Sequence, residues 1–269
     1  MALHIATQVA DIDYPETDGL PMAESDFQRK PLIYAVEALG IYFQNRPDVY
    51  VSGNLFIYYR DGDPRAVVAP DVFVVFGAMK HDRSSYKLWE EPKAPDVVME
   101  ITSKSTQSDD QTSKLQIYAQ LGVREYIQYD PTGEYLTPPL QGLRLAGGTY
   151  VPIPVTQDPA GRLMLYSAVL ELALHVEDGQ LHFVTVETGQ KLLSHREAEH
   201  ARLQAEHALV QVEQSLLQAE KARRQAEERA NQEAALRQAA ETRLAALEVQ
   251  LRALQAGHAP EAPPGSGTL

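Results

Sequence analysis

Pro95-Asp96-Val97-Val98-Met99-Glu100-Ile101-Thr102-Ser103 decides the fold: it is a short β-branched, apolar run with a glutamate inside it. A carboxylate within such a strand is costly to bury unless something neutralises it. The run Ala69-Pro70-Asp71-Val72-Phe73-Val74-Val75 repeats the pattern, and Lys114 follows on the next predicted helix. A divalent cation offsets buried carboxylates, and two such acids with a lysine suit metal-assisted phosphodiester hydrolysis.

Working outward, Leu32 to Phe43 carries apolar residues at helical spacing, and Pro31 suits a first turn, so a helix is expected from Pro31 to about Gln44 or Asn45. Val49 to Tyr59 reads as one strand with a bulge or bend at Gly53. The turn Asp61-Gly62-Asp63-Pro64 leads to a second strand, Ala66 to Phe76, and a charged loop spans Lys80 to Lys93. Asp96 to Thr102 is the third strand. Asp109 or Asp110 can cap a second helix that stops at Gly122, and Val123 to Asp130 is the fourth strand. The order helix, three strands, helix, strand predicts an α/β domain whose last strand runs parallel to a neighbour in a mixed sheet. Leu143 to Phe183 reads as further short strands.

After Ser194 the composition changes abruptly, with no Pro or Gly as far as Ala256. A long helix over 194–256 is expected. Leu244, Leu247, Leu251 and Leu254 follow coiled-coil spacing, while the alanine-filled seam before them reads as slipping in register. Its nine basic and ten acidic residues suit neither a basic DNA arm nor a membrane helix, so a homodimer or docking to a partner protein is the expected use. Residues 1–26 read as an irregular segment, 27–190 as the main domain and 257–269 as a disordered tail.

The chain has no cysteine, which excludes disulfides and thiolate chemistry and suits a reducing compartment. The start of the sequence has no signal-peptide pattern and no apolar run spans a bilayer, so a soluble, cytoplasmic protein is expected. The net charge of −13 argues against a simple nucleic-acid binder, since phosphate contacts depend on lysine and arginine. The eight histidines are scattered without zinc-site spacing, and Tyr58 and Tyr59 read as strand packing.

Asp96 and Glu100 lie on one strand roughly 13 Å apart, too far for one ion with bonds of about 2.0–2.6 Å. Asp71 and Glu100, from adjacent strands, can meet if the register is right. Thr102 shares the face of Glu100 by alternation, and Gln111, Lys114 and Tyr118 share one helix face. Folding that face over the sheet would carry the Lys114 ammonium to the carboxylates, where it could orient water or stabilise charge. Taken singly, Asp71 is a turn residue after Pro70, Glu100 the partner of an arginine and Lys114 a solvated helix residue. Taken together with the element order, the three point to function.

Ala69 to Val75, Pro95 to Thr106, Asp110 to Tyr118 and Gly122 to Asp130 together resemble the Uma-type family of bacterial endonucleases. The resemblance spans about 27–174. It implies a PD-(D/E)XK restriction-endonuclease-like mixed sheet flanked by helices, with Asp71 and Glu100 matching the metal-binding acids. The class places its lysine two residues after the glutamate, where this chain has Thr102. The Uma-type pattern moves it to Lys114, with Lys104 as runner-up. The resemblance also implies that the Ile101 carbonyl helps to hold the metal. A histidine common in the first helix is missing here, which leaves Glu37 as a candidate accessory ligand.

These readings converge on an endonuclease acting on DNA with Mg²⁺ or Mn²⁺. In it Asp71, Glu100 and Ile101 hold the ion, Lys114 assists water, and Tyr118 or Gln111 shapes the site. The competing reading is a nuclease-fold protein that no longer cuts and works through its coiled coil.

Overall fold

In the computed structural model, residues 12–17, 19, 25–103, 113–158 and 160–256 are described. The chain divides into two compact units, Met1–Glu199 and His200–Leu269.

The first helix, α1 (Asp26–Tyr42), begins five residues before the expected start, because Ser25 caps it and its hydroxyl accepts the N–H of Gln28. Pro31 therefore lies inside the helix, in its second turn, where it forfeits the bond its missing N–H would make and its ring crowds the carbonyl of Phe27.

Six strands form the central sheet in the order β1 (Val49–Ser52), β4 (Val72–Phe76), β6 (Val97–Ile101), β7 (Glu125–Tyr129), β8 (Leu140–Ala146), β9 (Thr149–Pro152). All neighbours are antiparallel except β6 and β7, which run parallel, as the helix between them requires. That helix is α2 (Ser113–Leu121), closed by Gly122 at φ +78°; its expected caps, Asp109 and Asp110, lie outside the described residues.

The single strand expected over Val49–Tyr59 is two strands in two sheets. After β1 the chain leaves the central sheet, and β2 (Ile57–Tyr58) joins β3 (Val67–Val68) and β5 (Tyr86–Lys87) in a small three-stranded sheet. The break falls at Gly53, where a Cβ would lie 2.2 Å from the Asp71 carbonyl oxygen. The expected strand Ala66–Phe76 breaks too, at Pro70, whose carbonyl accepts the N–H of Asn54. A third sheet, β10 (Val155–Gln157), β11 (Leu163–Ser167), β12 (Leu172–Glu177) and β13 (Gln180–Thr185), is an antiparallel meander.

Strands β4 and β6 are apolar on both faces because both are covered. Val72, Val74, Val97, Met99 and Ile101 pack with Ala35, Ala38 and Leu39 of α1 and with Leu165, Leu172 and Phe183 of the meander. Phe73, Val75 and Val98 pack on the other side with Tyr118 of α2 and with Ile57 and Tyr86 of the small sheet. Buried Glu125 joins sheet to meander, accepting from Arg144, the Ala168 N–H and the Ser167 hydroxyl.

The last helix, α3 (His195–Ala256), starts with a capping box: Ser194 accepts the Glu197 N–H, and Glu197 accepts the Ser194 N–H and hydroxyl. Burial pushes the Glu197 carboxyl up. The Lys191 ammonium and the Ser194 donors outweigh this and hold it at about 2, against an ordinary 4.5. Because the folded value is depressed, the box contributes fully above pH 4.5 and is lost as pH falls toward about 2. NMR shifts of residues 195–198 followed over that range should report fraying of the first turn; shifts that stay constant would contradict it. Among the described residues no helix is long and apolar enough to cross a membrane. The expected tail, 257–269, lies outside the described residues.

Candidate active site

The register of β4 and β6 pairs Val72 with Met99, so the next step outward sets Asp71 opposite Glu100. Directly opposed residues of an antiparallel pair share a face, here the one covered by α2. The geometry is tied by a side-chain bond: Asp71 Oδ2 accepts the Ile101 N–H at 2.6 Å. Asp71 stands in the bend just before β4 rather than mid-strand.

Glu100 is 1% exposed. Its Oε2 accepts from Lys114 Nζ at 3.0 Å and its Oε1 from the Tyr118 hydroxyl at 2.7 Å. Lys114 and Tyr118 lie one turn apart on α2, so one helix face supplies both donors. Glu100 taken singly calls for an arginine partner; the partner is a lysine, and the Lys114 side chain is itself mostly buried. Such a pair in low dielectric is retained only with good geometry and further hydrogen bonds, which Tyr118 provides.

Asp96 is separate, as its strand position implies. Its carboxylate accepts the Phe76 N–H at 2.8 Å and the Lys93 ammonium at 2.7 Å, tying the ends of β4 and β6 together. Glu37 does not join the pair. It projects from α1, which covers the opposite face of the sheet, and accepts the N–H of His195 at 3.3 Å. The expectation of an accessory ligand there is corrected: the face on which α1 packs decides it. Lys104 and Gln111 lie outside the described residues.

Thr102 continues the strand, its N–H donating to the Tyr129 carbonyl, and so shares the face of Glu100. Among the described residues its buried Oγ1 has no hydrogen-bond partner. Thr102 and Ser103 also line a cavity of about 420 Å³ with Phe27, Gln28, Thr132 and Tyr135, beyond the C-terminal ends of β6 and β7. Ligand sites in α/β sheets lie at such ends. Sequence reading missed both this cavity and its wall. The wall is built by Asp130, which accepts five bonds from Thr132, Gly133, Tyr135 and Leu136. Burial pushes the Asp130 carboxyl up, yet these donors hold it below the usual aspartate value. The available signal was Asp130-Pro131-Thr132-Gly133, a turn sequence with its own acceptor.

The residues present fit a hard divalent cation in kind: Asp71 and Glu100 are carboxylates opposed in register, and such ions take oxygen donors. Among the described residues no three His, Cys, Asp or Glu side chains converge on one point. Two protein carboxylates with water completing the shell is a usual arrangement for Mg²⁺.

The fold is α/β: a PD-(D/E)XK restriction-endonuclease-like mixed sheet with helices on its two faces, followed by a long helix. The family model described as "Uma2: Putative restriction endonuclease" matches residues 20–177, and the chain belongs to that family. A crystal structure from Anabaena variabilis, described as "a putative nuclease belonging to DUF820", is similar at 14% identity and a TM-score of 0.35, over 52% of this chain and 75% of that one. No curated protein matches the chain.

Proposed function

We propose that the chain is a Mg²⁺- or Mn²⁺-dependent DNA endonuclease that hydrolyses phosphodiester bonds. The observation that carries this reading is Glu100: almost wholly buried, opposed in register by Asp71 and held by Lys114 and Tyr118. Asp71, Glu100 and the Ile101 carbonyl would hold the ion. When bound, it supplies Lewis-acid polarisation of the phosphoryl oxygens and offsets charge developing there. Lys114 orients the attacking water and adds positive charge where the phosphorane forms. Tyr118 fixes the rotamer of the Glu100 carboxylate, and the Ile101 N–H fixes that of Asp71, so both acids are preorganised.

Plasmid and oligonucleotide cleavage across metals, with a chelator and a Lys114→Ala protein, tests the assignment. Cleavage is expected to need Mg²⁺ or Mn²⁺ and to slow by about 10²-fold or more in Lys114→Ala. Undiminished cutting by that variant would remove the role given to the lysine.

The net charge of −13 favours a second reading, a nuclease-fold protein that no longer cuts and works as an interaction module through α3. Calorimetric titration with Mn²⁺ separates the two. Heat that is present in the parent and lost in Asp71→Ala supports the metal site, and a parent that takes up no Mn²⁺ supports the interaction module.

A further inference from the structure

Helix α3 runs for 62 residues, and every residue from His200 to Leu254 is exposed. Leucines and valines left in water over such a length call for a partner. Counted back from Leu254 in alternating steps of three and four, one heptad register can be followed along the helix. It passes through Leu251, Leu247, Leu244, Ala240, Arg237, Glu233, Ala230, Ala226, Arg223, Ala219, Leu216, Val212, Leu209, Ala205, Arg202 and Ala198. Its leucines and valine are all at least 55% exposed. The alanine-filled stretch from Ala240 back to Ala219 lies in this register, which carries four charged positions in all.

Those four charges decide what can cover it. A parallel, in-register pair stacks Arg202, Arg223, Glu233 and Arg237 each on its own copy, four like-charge layers inside the seam. We propose that α3 instead pairs with α3 of a second copy in antiparallel orientation, about a two-fold axis at Glu228. Residues equidistant from that point then face each other. Arg223 meets Glu233 of the second copy, twice by symmetry, and Arg237 meets Ala219, with Glu220 beside it. The large apolar residues meet one another as well: Leu209 faces Leu247, Val212 faces Leu244 and Leu216 faces Ala240. Arg202 falls opposite Leu254 near the end of the helix, where its long stem can cover the leucine and its head reach water. The orientation sets Glu213 near Glu241 and Glu206 near Glu248 of the second copy, and Glu227 beside its own counterpart, all on the rim. A rim contact in water costs far less than like charges shut into the seam. An isologous interface of this kind closes at two copies.

The chain has no cysteine, so engineered thiols report on orientation without background. Leu209→Cys and Leu247→Cys proteins, oxidised separately and as a mixture, are expected to cross-link only in the mixture, as a heterodimer. Cross-linking of either protein alone would establish the parallel arrangement and overturn the proposal. So would sedimentation of the unmodified chain as a monomer at tens of micromolar. Arg223→Glu is expected to raise the dimer dissociation constant by at least about tenfold, with Arg223→Glu combined with Glu233→Arg restoring it. A combined variant no tighter than the single one would also overturn it. All of these positions lie on exposed helix, so a folding defect does not confuse the readout.

Discussion

Glu100→Gln is expected to lower metal-dependent cleavage by on the order of 10²–10³-fold, the scale on which removal of one preorganised charge acts. The substitution keeps the side-chain shape and an oxygen acceptor for the Tyr118 hydroxyl, but deletes the negative charge that Lys114 meets at 3.0 Å. Two consequences follow, and they are measured separately. Calorimetry should show weakened Mn²⁺ binding, because one of the two carboxylates proposed to hold the ion has become neutral. Urea unfolding should show a loss of roughly 1–3 kcal/mol, the cost of leaving a partly buried charged donor poorly matched. The upper range for a broken buried ion pair does not apply, since the Lys114 side chain is 20% exposed and its ammonium can turn toward water. A folded Glu100→Gln protein that cuts at the parental rate would place the chemistry elsewhere.

Gly53→Ala is expected to damage the same site from a distance along the chain. A Cβ at this position would lie 2.2 Å from the Asp71 carbonyl oxygen and 3.0 Å from Val36 Cγ2. The first neighbour is backbone and cannot rotate away, so the segment carrying Asp71 must move. Overpacking of this kind costs about 1–3 kcal/mol. The catalytic loss should exceed that expected from the folded fraction alone, because the bond from the Ile101 N–H holds Asp71 only at its present position. Comparing cleavage per folded molecule with Val36→Ala, which loosens the neighbour without moving Asp71, distinguishes the two contributions. Equal activity per folded molecule in Gly53→Ala would show that Asp71 tolerates the shift.

Much of the site was legible because it depends on period and order. Alternation along β6 puts Val98, Glu100 and Thr102 on one face whatever surrounds them, and spacing along α2 puts Lys114 and Tyr118 on one stripe. The parallel pairing of β6 and β7 follows from the helix between them, as does the stop of α2 at Gly122. Glu37 failed for the opposite reason. A helix shows which of its residues share a face, but not which side of the sheet that face will cover, and α1 covers the side away from Glu100.

The breaks at Gly53 and Pro70 were only half legible. Each was visible as a punctuation mark within an apolar run, yet neither neighbourhood discloses that the two segments touch. That contact, between residues 18 apart in the chain, divides two long strands among two sheets and sets Asp71 at a strand entrance. Local periodicity and residue type were thus sufficient for most elements, their order and the helix face shared by Lys114 and Tyr118, since these depend on near neighbours alone. The choice of face for α1, the close approach at Gly53 and the cavity beyond Thr102 were decided by tertiary packing, where backbone excluded volume and the burial of charge act between segments that the chain separates.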